Sequence, residues 1–214
     1  MLKGLTNFEI KHLINEIGFS RPIQIYERRL LNVGLQPGVA LLDLGCGVGQ
    51  WSAAAARIGA SVVGIDPSLD RIAVAEKLVR NLGSDAHTTF RVGTTESIPL
   101  ETSSIDFVLC HGVLQLVDFR RALAEIHRVL KPAGLAYINW TTPGWFAYRL
   151  MEGHLLSSTR MMGRALLGRA SQRALTTHQV LARTAEEGLV ALGVGSEGTL
   201  KVNRDKSAVS VVES

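Results

Sequence analysis

Between Val39 and Asn139 the chain alternates short apolar runs with amphipathic stretches, and this alternation limits its fold more than any other feature. The runs VALLDL (39–44), SVVGID (61–66), TTFRVG (88–93), IDFVLC (105–110) and LAYIN (135–139) have the length and composition of buried strands. Among them lie SAAAARIG, LDRIAVAEKLVRNLG and FRRALAEIHRVL, which read as helices. In the last, Phe119, Leu123, Ile126 and Leu130 recur at helical spacing. Ser68 is placed to cap the second, with Asp70 in its first turn. Strands that alternate with helices pair in parallel through right-handed crossovers, so the expected class is α/β with a doubly wound sheet.

The flanks extend this plan. Phe8, Leu13 and Ile17 predict a first helix, and Ser20 with Pro22 opens a second, IQIYERRLLNVG, closing at Gly34. Near the other end LTTHQVLARTAEEG predicts a helix beginning at Thr176 or Thr177. LVALGVG (189–195) and SAVSVVES (207–214) then predict two strands joined by the polar GTLKVNRDK, an antiparallel pair at one sheet edge. The expected sheet has seven strands, one reversed. Thr141 to Arg173 breaks the alternation with more than thirty residues, too many for an ordinary connection. Apolar side chains such as Trp145, Phe146 and Met161 are interleaved there with Arg149, Arg160, Arg164, Arg169 and Arg173. That pattern predicts a helical lid over the ligand edge. The expected organisation is one domain: N-terminal helices over 1–36, a core over 37–140, the lid over 141–175, and a helix with the strand pair over 176–214.

A chain of 214 residues can bury a sizeable core without disulfides or metal. Cys46 and Cys110 stand far apart with no CxxC partner, so no metal site is expected. The longest apolar runs are too short to span a bilayer, and the N-terminus has no signal-peptide core. Both point to the cytoplasm. A net charge of +4 permits an anionic partner without requiring one.

The stretch LLDLGCGVGQW then asks which ligand the sheet holds. Ligands of open α/β sheets bind beyond the carboxyl ends of the strands, where this glycine loop falls. A P-loop needs a lysine followed by Ser or Thr, and neither is present. A dinucleotide fingerprint needs G-x-G-x-x-G, whereas Gly45, Gly47 and Gly49 form G-x-G-x-G with Gln50 in the last place. Asp43 weighs further against phosphate, because a carboxylate repels pyrophosphate and attracts an ammonium group. Asp66, at the end of the next strand, suits the two hydroxyls of a ribose. An amino group and a ribose together describe S-adenosylmethionine.

At these residues the chain resembles the class I S-adenosylmethionine-dependent methyltransferases, in the small-molecule group related to quinone-biosynthesis enzymes. LLDLGCGVG, VVGIDPS, VGTTESIPL, SIDFVLCHGVLQLVD and ALAEIHRVLKPAG carry the resemblance, in order and correctly spaced. It implies a Rossmann-like seven-stranded sheet, mostly parallel with one reversed edge strand, plus the lid. It implies that Gly45, Gly47 and Cys46 contact the methionine portion, that Asp43 holds its amino group and that Asp66 holds the ribose. Pro67 and Ser68 would pack near the adenine, with Thr95 and Glu96 at its edge. Tyr26 matches a position that closes over the methionine carboxylate. His111 would sit beside the sulfonium, as a base if the acceptor is a hydroxyl. Thr94 stands where the family has an acid for the adenine amino group, and KPAG replaces KPGG, leaving Gly134 to take any left-handed turn.

The expected activity is methyl transfer by in-line displacement to an oxygen, nitrogen or carbon of a small, largely apolar molecule. The alternative is a cofactor-binding subunit without transferase activity, for which Thr94 and the lack of an obvious base speak. No N-P-P-Y-like tetrapeptide follows the fourth strand, so no nucleic-acid partner is expected. The lid arginines keep a carboxylated acceptor or a peripheral membrane contact open.

Overall fold

The computed structural model describes residues 22–140, 142, 175–195 and 199–204. The helix expected around Phe8, Leu13 and Ile17, the lid and the strand at 207–214 fall outside these residues. The described elements follow the alternation: α1 (Ile23–Asn32), β1 (Ala40–Leu44), α2 (Gln50–Ile58), β2 (Ser61–Asp66), α3 (Leu69–Asn81), β3 (Thr88–Val92), β4 (Ile105–His111), α4 (Phe119–Val129), β5 (Leu130–Asn139), α5 (Thr177–Glu186), β6 (Val190–Gly195) and β7 (Thr199–Asn203).

The seven strands form one sheet in the order β3-β2-β1-β4-β5-β7-β6. Neighbours from β3 through β5 pair in parallel, and β7 runs antiparallel to both β5 and β6. The reversed strand therefore belongs to the edge pair, one place inside the outermost β6. Its position in the chain differs from expectation. The strand is TLKVN, within the stretch read as a polar connector. Leu200 and Val202 alternate there with polar residues, and Val202 is buried where it pairs with Ala136. Two apolar residues amid Thr, Lys and Asn give too short a period-two signal to stand out.

The central strands β1 and β4 are apolar on both faces because helices cover both. Leu41, Phe107 and Leu109 face α1 and α2, packing with Leu30, Trp51 and Ala53. Leu42, Val108 and Ile138 face α4 and α5, packing with Leu123, Ile126 and Val180. Helix starts follow local chemistry. Ser68 Oγ accepts the Arg71 N–H, Asp118 accepts from Arg120 and Arg121, and Thr176 forms a capping box with Gln179. Trp140, fully buried, donates its indole N–H to the Leu175 carbonyl at 3.1 Å, which ties the end of β5 to the start of α5.

KPAG departs from expectation. β5 starts at Leu130, and Lys131 to Gly134 form a bulge between the Ile105–Leu130 and Phe107–Leu135 pairs. Ala133, not Gly134, takes the left-handed conformation, with φ 61. Gly134 is needed for space instead: a Cβ there would lie 2.9 Å from the Lys131 carbonyl oxygen.

Candidate cofactor site

At the carboxyl ends of β1, β2 and β4 the chain opens a cleft of about 1010 Å³. Its floor is the glycine loop. After β1 the backbone turns through Gly45 (φ 75), whose N–H donates to the Ile65 carbonyl at 2.8 Å, as does Cys46 at 3.0 Å. A Cβ on Gly45 would fall 2.3 Å from Val113 Cγ2, so this glycine admits the loop after β4. The loop then enters α2 directly through Gly49.

Two buried carboxylates border this floor, Asp43 and Asp66, each 2% exposed. Asp43 shares the face of Leu41 and so meets α2, where Ser52 Oγ donates to it at 2.6 Å. Burial pushes its ionisation up to about 7, against hydrogen bonds from the Ser52 hydroxyl and N–H, with the charge of Asp66 adding to the rise. Asp66 is fixed by backbone: Gly47 N–H donates to Oδ2 at 3.1 Å and Ser68 N–H to Oδ1 at 2.9 Å. The Arg71 guanidinium on α3 stands 3.8 Å from Oδ2.

Opposite them His111 ends β4. Its ring lies against Trp51 at 4.8 Å, and Trp51 meets Tyr26 edge-on at the same separation. Burial and the positive charge of Arg29 depress His111 to about 4, against a backbone hydrogen bond that works the other way. The imidazole is therefore neutral at neutral pH.

A third border is the turn Thr94–Ser97. Thr95 Oγ1 donates to Glu96 Oε2 at 2.9 Å, and the Asp118 N–H donates to Glu96 Oε1 at 3.1 Å. Burial raises Glu96, but the hydrogen bonds from Thr95 and Asp118 outweigh it and hold the carboxyl below its ordinary value. Helix α4 anchors the residues after this turn: the Ile98 N–H donates to Glu125 at 2.7 Å, while Arg128 donates to the carbonyls of Ile98 and Leu100 at 2.9 Å.

Tyr26, Asp43, Gly45, Cys46, Gly47, Asp66, Pro67, Thr94, Thr95, Glu96 and His111 all line this one cleft. Ser68 does not; its hydroxyl caps α3 and its N–H holds Asp66. The Cys46 and Cys110 thiols are buried, and loss of solvent pushes both far up, Cys110 to about 12, so neither is a nucleophile at neutral pH. Sequence reasoning missed Arg29, Trp51 and Arg71 as lining residues, and read Gln50 only as a broken dinucleotide motif. Arg29 lies one helical turn from Tyr26, and Trp51 directly follows the loop; those spacings were the available signals. Val113, Leu116 and Val117 add an apolar rim.

This lining suits a ligand that donates hydrogen bonds. It offers two buried carboxylates, and Gln50 Oε1 is buried without a hydrogen-bond partner among the described residues. An acceptor left unpaired costs about 1–3 kcal/mol. An ammonium and a pair of ribose hydroxyls fit such groups, and a pyrophosphate does not.

Comparison with known proteins agrees. Residues 42–138 match a family described as a methyltransferase domain. Over 126 residues the chain is 32% identical to a ubiquinone/menaquinone biosynthesis C-methyltransferase of Rubrivivax gelatinosus, covering 58% of this chain and 48% of that protein. Over 127 residues it is 35% identical to a ubiquinone biosynthesis O-methyltransferase of a Bradyrhizobium species, covering 58% and 49%. The match thus spans about half the length of these relatives. A geranyl diphosphate methyltransferase in complex with S-adenosylmethionine shares the fold, with a TM-score of 0.68 and 19% identity over 95% of this chain and 92% of that one. Over residues 42–138 this chain is therefore similar to methyltransferase domains, and it shares its fold with a methyltransferase that binds S-adenosylmethionine.

Proposed function

We propose that the protein transfers a methyl group from S-adenosylmethionine to a small, largely apolar acceptor. The observation that carries this reading is the pair of buried carboxylates, Asp43 and Asp66, at the ends of adjacent strands in one cleft. Bound there, the cofactor supplies a methyl group activated by a sulfonium. Asp66, held by two backbone N–H groups, is oriented to accept from the ribose hydroxyls. Asp43 takes the ammonium, Gln50 offers a further acceptor, and Thr94, Thr95 and Glu96 border the adenine end. The loop glycines bring the backbone close to the methionine portion, and Tyr26 covers it. Pro67 packs beside the nucleoside.

The acceptor enters past Val113, Leu116 and Val117, whose apolar side chains exclude water from the reacting atoms. His111 takes part as a neutral imidazole that accepts a hydrogen bond. An ionisation near pH 4 makes it a poor proton store at neutral pH, which favours an acceptor whose nucleophile is already ionised or needs no proton removed. Most of the rate enhancement then comes from alignment, roughly 7–11 kcal/mol in favourable systems.

The test is turnover of methyl-labelled cofactor against a panel of phenols, enols, amines and carboxylic acids. Label in a small organic product supports the reading. Cofactor binding with no labelled product across the panel leaves the protein as a binding subunit and contradicts it.

A further inference from the structure

One wall of the cleft is a row of three rings drawn from three separate segments. Tyr26 of α1 meets Trp51 of α2 at 4.8 Å and 85°, and Trp51 meets His111 of β4 at 4.8 Å and 41°. Tyr26 and Trp51 are 7% and 5% exposed, so the fold holds them firmly, yet all three border the cleft.

The order of strands sets what the row faces. Along the sheet edge β2, β1 and β4 present Asp66, Asp43 and His111 in turn. In S-adenosylmethionine the sulfur is bonded between the ribose carbon and the amino-acid chain, and its remaining substituent is the methyl group. A ribose on Asp66 and an ammonium on Asp43 bracket that sulfur, and His111 is the next side chain along the edge. The demethylated product carries the same ribose and the same ammonium. Neither carboxylate therefore contacts a group that differs between the two molecules; they differ at the sulfur.

We propose that the Tyr26–Trp51–His111 row recognises the positive sulfur and so discriminates the cationic cofactor from its neutral product, with Trp51 as the specificity-determining residue. This rests on the reading of the cleft as the S-adenosylmethionine site. Aromatic rings attract cations through their negative faces, most strongly for tryptophan and in desolvated places. His111 adds no opposing charge at neutral pH, because burial and Arg29 keep its ring unprotonated. Arg29 itself is the cation facing the row; it is exposed at the rim, with Asp43 and Asp66 buried beneath.

The experiment is calorimetric titration of the intact protein with S-adenosylmethionine and, separately, with S-adenosylhomocysteine. Wild type is compared with Trp51→Leu, Trp51→Phe and Tyr26→Leu. The row predicts that Trp51→Leu lowers the ratio of cofactor to product affinity by about threefold to tenfold, with product affinity near wild type. Trp51→Phe keeps most of the ratio. A merely structural tryptophan would weaken both ligands alike. An unshifted ratio in a Trp51→Leu protein that still binds the product overturns the proposal. Should that variant not fold, Tyr26→Leu decides by the same ratio, with an expected shift of about twofold. Wild type that binds neither ligand overturns the cofactor reading and the role of the row together.

Discussion

The two walls of the cleft are built in different ways. The acidic wall is local: Asp43 lies two residues before the glycine loop, and Asp66 is tied to that loop by the Gly47 N–H and to its own helix by the Ser68 N–H. The aromatic wall is assembled at long range, from α1, α2 and the end of β4, and its rings pack against one another. One wall is held by directed hydrogen bonds to backbone and the other by packing. The first should therefore set whether the cofactor binds, and the second should tune what is bound.

The largest expected effect breaks the acidic wall at its floor. Gly45→Ala puts a methyl group within 2.3 Å of Val113 in a backbone conformation unfavourable to alanine. The substitution should cost about 2–4 kcal/mol of stability by overpacking and strain, read as a lowered midpoint in urea. A midpoint within error of wild type would show that the loop after β4 moves aside freely.

The next effect is one of pH. Asp43 in the folded protein ionises at about 7, above its ordinary value of 3.8. Between those values the folded chain binds a proton that the unfolded chain has released. The contribution of Asp43 to stability is thus present at low pH and is lost as pH rises through about 7. A ligand ammonium needs the ionised form, so cofactor affinity should fall by up to about tenfold per pH unit below pH 7. Asp43→Asn should flatten that dependence. Calorimetry between pH 5.5 and 8 in wild type and variant measures it; an equal slope in both would remove Asp43 from contact with the ammonium.

A smaller effect probes the third border. Arg128 holds two carbonyls of the segment after Thr94–Glu96, and Glu125 holds its Ile98 N–H. Arg128→Ala should raise the KM for cofactor about threefold to tenfold, the worth of one or two charged hydrogen bonds seen at a distance, and leave kcat nearly unchanged. Arg128→Lys should recover part of it. A fall in kcat with constant KM would contradict a positioning role.

The difference between the walls also explains what was legible in the sequence. Asp43, Asp66 and the loop glycines could be read because their partners lie within one strand–loop–helix unit, where spacing fixes geometry. Trp51 and Arg29 were less legible, since their spacings from the loop and from Tyr26 do not tell that α1 and β4 close on the first turn of α2. The parallel core was legible because its central strands, β1, β2 and β4, are apolar on both faces. TLKVN was not, because at the edge of the sheet only Val202 among its described side chains is fully buried. Gly134 misled for a similar reason: the left-handed residue of the bulge is Ala133, and the requirement at 134 is room beside a carbonyl from the same bulge.

Titration of purified protein with S-adenosylmethionine, in wild type and in Asp66→Ala, tests the central claim most directly. Asp66 is the only side chain with both carboxylate oxygens held by backbone among the described residues of the cleft, so its loss removes a prearranged acceptor for two hydroxyls. Two charge-assisted hydrogen bonds are worth about 3–4 kcal/mol together, which predicts saturable one-to-one binding to wild type and an affinity lowered about a hundredfold or more in the variant. Equal affinity in both proteins, or no binding to wild type, would contradict the account.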